Sequence, residues 1–169
     1  MTETASFIGR NFSIRPSILI LVLLCIVSSA ALAQARPDFS GVWKQDNERS
    51  LPRRNGDLTL RIEHRDPELI VETSMSSNTG ASRHAVQKYT TEGKVSISTG
   101  ADGDEFHTSV VWKDSSLVFS IEEHEDGRIL MSTETWFVIE DGVTLEKVRE
   151  RPDGQKQTSF FRREQQGSK

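Results

Sequence analysis

Four histidines, His64, His84, His107 and His124, are the side chains best suited to acid–base or metal chemistry in this sequence. None recurs at His-x-His, His-x-x-x-His or His-Glu-x-x-His spacing, the intervals that set two imidazoles side by side for a metal. They are expected to be surface histidines, with no metal site and no cofactor. His64 differs by parity, because it continues the face of Leu58, Leu60 and Ile62. It is a candidate polar group at a pocket mouth or a haem ligand, the plainer role being a capped structural histidine. The acidic run Glu122-Glu123-His124-Glu125-Asp126 precedes Gly127 and reads as a charged hairpin tip. Carboxylate pairs serve hydrolases only where they converge in a cleft. Thr99 to Glu105 approaches a calcium loop but lacks the remaining oxygen positions. No Gly-x-Ser-x-Gly elbow, no nucleophile with a paired base and no glycine-rich phosphate loop is present. Catalysis is therefore the weakest reading, and binding the better one. Arg149 and Arg151 share one face of a strand and its end, where an inward arginine would meet a carboxylate ligand and an outward one would face water.

The elements that position these residues are strands. Asn55-Gly56, Glu92-Gly93, Asp102-Gly103, Asp126-Gly127, Asp141-Gly142 and Asp153-Gly154 punctuate the chain regularly and suit tight hairpin corners. Between them lie short runs rich in Val, Ile, Thr, Phe and Trp, without a sustained helical period. About ten strands are expected, near 39–45, 57–65, 69–76, 83–90, 94–98, 105–112, 116–123, 128–140, 143–150 and 155–164. Alternation puts Leu58, Leu60 and Ile62 on one face, Phe106, Thr108, Val110 and Trp112 on one face, and Leu117, Phe119 and Ile121 on one face. The run 128–140 is apolar on both faces; Ile129, Met131, Phe137 and Ile139 are assigned inward, and Leu130, Trp136 and Val138 outward. An apolar outer face there suggests a covering loop or a homodimer through the strand containing Trp136.

Arg10 and Arg15 precede the apolar run Ile18 to Val27, followed by small residues ending in Ala33-Gln34-Ala35. Residues 1–35 thus read as a secretory signal peptide, too short in its apolar core to span a bilayer, so the mature chain is expected to be exported, periplasmic or extracellular, without stable membrane insertion. Cys25, the single cysteine, falls inside that run and is expected to be removed with it. A mature chain without cysteine depends on an apolar core, which about 134 residues suffice to build. Setting aside Arg10, Arg15 and Glu3 leaves 19 of 21 basic and 24 of 25 acidic residues. That mild acidic excess offers nucleic acid no electrostatic footprint. Residues 36–165 are one domain and 166–169 a disordered tail.

The start of that domain, Asp38-Phe39-Ser40-Gly41-Val42-Trp43-Lys44, resembles the calycin group, the lipocalins and fatty-acid-binding proteins, whose first strand carries Gly-x-Trp. The chain also looks like small exported bacterial proteins of unassigned function with a similar Phe-x-Gly-x-Trp start. The resemblance implies an all-β, antiparallel up-and-down barrel, with a β-sandwich as the alternative. It implies that Trp43 plugs one end under an arginine of the last strand, Arg162 or Arg163, with Arg162 taken as the closing residue and Gly41 relieving crowding beside the ring. Phe160-Phe161-Arg162-Arg163 stands where fatty-acid-binding proteins carry Arg-x-Tyr, and only Asp46 to Gly56 is available for their helical lid, so neither feature carries over. Phe106, Trp112, Phe119, Phe137 and Tyr89, with His64 and Arg149, are the expected cavity lining. The expected function is to carry or sequester a small apolar or amphipathic ligand; the alternative is a protein-interaction module with a filled barrel.

Overall fold

The computed structural model describes residues 36–165, so the expected signal peptide with Cys25 and the tail 166–169 lie outside the described residues. Ten strands follow one another: β1 (Gly41–Leu51), β2 (Asp57–Arg65), β3 (Glu68–Ser76), β4 (Ser82–Thr90), β5 (Ser96–Thr99), β6 (Glu105–Lys113), β7 (Ser116–Glu125), β8 (Arg128–Ile139), β9 (Thr144–Glu150) and β10 (Lys156–Arg163). They form one antiparallel sheet in the order β4-β3-β2-β1-β10-β9-β8-β7-β6-β5. Every neighbour except the β1–β10 pair is also a neighbour in sequence, which is up-and-down topology. Strands β4 and β5 approach each other across the remaining seam, where Ser96 Oγ donates to the Lys88 carbonyl at 2.6 Å and the Gly93 N–H to the Val110 carbonyl at 2.9 Å. The expected barrel is therefore present, nearly closed, and the sandwich is excluded.

Period-two patterning explains the inside. Leu60 and Ile62 point inward and pair across to Thr73 and Val71, while Val110 opposes Phe119 and Trp112 opposes Leu117. The buried core comprises Phe39, Trp43, Leu60, Ile62, Leu69, Val71, Val110, Leu117, Phe119, Trp136, Leu145 and Phe161. Burial of each large side chain contributes about 1.5–3 kcal/mol.

Strand β1 runs past the expected 39–45 to Leu51, with a register shift against β10 between Asp46 and Leu51. Ser50 seals that irregularity: its hydroxyl donates to the Asp46 carbonyl at 2.6 Å and accepts the Phe160 N–H at 3.0 Å. No helix occupies Asp46 to Gly56, as the lid argument anticipated. Gly56 has φ +113°, and a Cβ there would come within 2.0 Å of the Ser76 carbonyl oxygen, so the β1–β2 corner requires glycine.

Strand β8 reverses the assigned faces. Trp136, 3% exposed, is inside the barrel, and Phe137, Thr135 and Thr133 take the opposite side of the strand. The cause is register: Leu117 opposes Trp136, Phe119 opposes Glu134 and Ile121 opposes Ser132, so the inward face of β7 carries these partners inward with it. The Trp136 ring, expected on the outer face, is therefore not part of the strand's outer surface. The outward apolar residues at the start of β8 are Ile129 and Met131.

Candidate functional site

One end of the barrel is shut by the N-terminal segment. Trp43 is fully buried, and its Nε1 donates to the Phe39 carbonyl at 2.9 Å. The guanidinium of Arg163 lies 4.3 Å from the Trp43 ring centroid and donates to the Ser40 and Asp38 carbonyls, each at 2.9 Å. Arg163, not the expected Arg162, is the closing arginine. In the β1–β10 register Trp43 opposes Arg163, whereas Arg162 opposes Lys44 on the outer side and is exposed. The stack contributes about 0.5–2 kcal/mol. Gly41 is needed for a different reason than crowding: its φ is +137°, while a Cβ would meet the Arg163 and Trp43 side chains only at ordinary contact distances of 3.6–3.7 Å.

His64 and Trp112 belong to this closed end and do not line the cavity. Phe39 packs on both rings, with centroids 5.8 and 5.9 Å away. Trp112 Nε1 donates to Asp66 Oδ1 at 2.9 Å, and Asp66 also accepts the Thr91 hydroxyl and Arg36 Nη1, the last at 2.8 Å. These donors, led by Thr91 and Trp112, hold the Asp66 carboxyl below its usual range. Burial lowers the His64 pKa against the opposing pull of Asp66, so the imidazole is neutral near pH 7. Its role is packing within an aromatic cap.

Beyond this cap the barrel holds a cavity of about 250 Å³. Leu60, Val71, Phe119 and Trp136 form a buried apolar wall, and Tyr89, Phe106, Ile121, Gln87, Thr73 and Ser98 continue it. Phe119 and Trp136 lie 4.4 Å apart between centroids, and Tyr89 meets Phe119 edge-on at 5.6 Å. Burial, followed by the Glu134 charge, raises the Tyr89 pKa, so this phenol remains neutral and able to donate. Of the expected lining, Tyr89, Phe106, Phe119 and Arg149 are brought together here; Phe137 is not, for the parity reason above.

Three inward residues complete the cavity and were not among the expected lining: Glu134, Trp136 and Lys147. Glu134 pairs with Lys147 at 3.0 Å and accepts Trp136 Nε1 at 2.6 Å. Burial pushes the Glu134 carboxyl up, but Lys147, the indole N–H and Arg149 together outweigh it and keep the carboxyl below its usual value. The Lys147 ammonium also sits 4.7 Å above the Trp136 ring. Arg149 reaches Ser132 Oγ with Nε at 3.3 Å and Nη2 at 3.1 Å, and its nearest carboxylate, Glu123, is 3.8 Å away, beyond hydrogen-bond range. Its guanidinium fork is thus not engaged by a bidentate carboxylate. The cavity's cations, Lys147 and Arg149, both come from β9.

No protein-family model matches this chain, and no curated protein matches it. Solved structures do. Secretory abundant heat soluble protein 4 from Ramazzottius varieornatus matches with a TM-score of 0.59 at 13% identity, covering 77% of this chain and 96% of its own. The fatty acid transporter REP1-NXSQ matches at 0.57 and 13%, covering 76% and 97%, and Echinococcus granulosus fatty-acid-binding protein 1 at 0.51 and 11%, covering 74% and 96%. At such identities the likeness establishes a calycin-type barrel fold.

Proposed function

We propose that the barrel binds one small amphipathic molecule, its apolar body against Phe119 and Trp136 and its anionic group at Arg149. The carrying observation is the cavity itself, in which a buried aromatic wall meets an arginine that is bonded to Ser132 Oγ and stands 3.8 Å from Glu123 without a bidentate carboxylate partner. A guanidinium binds carboxylates in a planar, two-point geometry, which a ligand would take up at Arg149 in place of the long contacts to Ser132 and Glu123. The volume lies just under the 300–1,000 Å³ typical of drug-sized pockets, which favours a small ligand. Two of the similar structures are named for fatty acids, which supports an apolar cargo with an acidic end.

The sequence supports a role outside the cytoplasm: Arg10 and Arg15, the run Ile18 to Val27 and Ala33-Gln34-Ala35 have the layout of a cleaved leader. Among the described residues no helix is long and apolar enough to cross a membrane.

Anilinonaphthalene sulfonate, an aromatic anion, is a direct probe. Its fluorescence should rise saturably with the mature protein, and Arg149→Gln should weaken binding about 10-fold to 100-fold, the loss of one charge-assisted contact. Phe137→Ala, outside the barrel, should leave binding unchanged. Equal affinity in the Arg149→Gln protein contradicts the assignment of the anionic end. A protein-docking role, the alternative, would use exposed Ile129, Leu130 and Met131 and would leave the cavity without a ligand.

A further inference from the structure

The two histidines that sequence spacing keeps apart are brought together on the outside of the barrel. His107 and His124 are 17 positions apart, yet the β6–β7 hairpin pairs Glu105 with His124 and His107 with Glu122. The neighbouring residues Phe106 and Thr108 point into the cavity, so this square of two imidazoles and two carboxylates occupies the opposite face of the sheet. The imidazole rings stack with centroids 4.4 Å apart. One donor atom from each of His107, Glu122 and His124 lies within 4.8 Å of the others.

We propose that His107, Glu122 and His124 bind a divalent transition-metal ion such as Zn²⁺ on the outer face of the β6–β7 hairpin. Three features favour an ion over a set of surface ion pairs. His124 Nε2 is covered but has no hydrogen-bond partner, and Glu122 Oε2 stands 3.8 Å from it, too far for a hydrogen bond and suited to an intervening ion. Glu105 Oε1 holds His107 Nε2 at 2.6 Å, the carboxylate support that fixes the ring of a metal-bound histidine. Ile97 on β5 flanks His107, while Ile129 and Met131 on β8 flank His124 and Glu122, so apolar side chains border the cluster on both sides. Imidazole with carboxylate is a donor set for zinc, nickel or copper rather than calcium or magnesium. Metal–ligand bonds of about 2.0–2.2 Å would draw the donors together to roughly 3.3–3.5 Å, a movement that side-chain rotation can supply. A fourth position stays open to solvent, and the ion would pin the hairpin that carries Phe106 and Phe119.

Calorimetric titration of untagged mature protein with Zn²⁺ tests this. The expected result is one bound ion per chain, a raised thermal midpoint, and affinity reduced at least about tenfold in His107→Ala and in His124→Ala. His84→Ala, an exposed histidine elsewhere, should leave the titration unchanged. Circular dichroism confirms that each variant is folded, as expected for substitutions on the outer face. Absence of Zn²⁺ binding, or binding indifferent to both substitutions, overturns the proposal.

Discussion

Lys147→Met is expected to lower stability at pH 7 by about 2–3 kcal/mol, because it leaves the largely buried Glu134 carboxylate with only the Trp136 N–H and the Arg149 charge to support it. In the unaltered protein Glu134 is held below its ordinary value, so it contributes stability that is present above about pH 4.5 and lost as pH falls through its folded pKa. Without Lys147, the largest charge opposing burial is gone and that pKa rises, with Trp136 and Arg149 left to offset part of the burial. The deficit is then largest at neutral pH and closes as the medium is acidified toward the ordinary carboxylate value. Adding Glu134→Leu to Lys147→Met should restore most of the stability, since a buried pair is often replaceable by apolar side chains of similar size. Urea unfolding of the two variants at pH 7.5 and pH 5 checks both points. An equal deficit at the two pH values would show that Glu134 is not the group left uncompensated.

Trp43→Ala should cost about 3–5 kcal/mol, the usual penalty for emptying a buried aromatic site. The ring is wholly buried, and its loss also removes the surface on which Arg163 lies. Adjacent arginines separate the closing role from a general effect of charge. Arg163→Ala should destabilise measurably, since it loses the stack and two carbonyl hydrogen bonds, whereas Arg162→Ala should stay within about 0.5 kcal/mol. Denaturant midpoints for the three variants give the comparison, and equal losses for the two arginines would refute this account of the closed end.

The strands were legible because Asx-Gly and Glu-Gly pairs mark most hairpin corners and β-branched runs fill the spaces between them. Three corners lacked that signal, Asp66-Pro67, Thr79-Gly80 and Asp114-Ser115. The last omission hid the register that joins His107 to Glu122, since cross-strand neighbours follow from the turn and not from spacing along one strand. Strand β8 misled for a different reason. Its two faces are similarly apolar, so alternation alone does not say which one faces the interior, and a charge such as Glu134 is ordinarily expected to meet water. A barrel with a polar cavity breaks that rule, because Lys147 on the adjacent strand solvates the carboxylate from inside. The choice between Arg162 and Arg163 was a parity decision that only pairing with Trp43 could make.

The cavity's role rests on whether the barrel holds a molecule in its native setting. The most direct measurement is a native mass spectrum of the mature protein recovered from its own source, compared with the mass after solvent denaturation. A discrete excess that denaturation releases, absent from Arg149→Gln, is the predicted result, and its composition would name the ligand class. A bare chain mass under native conditions, with the fold intact, would contradict the binding account and turn attention to the outer surface around Ile129 and Met131.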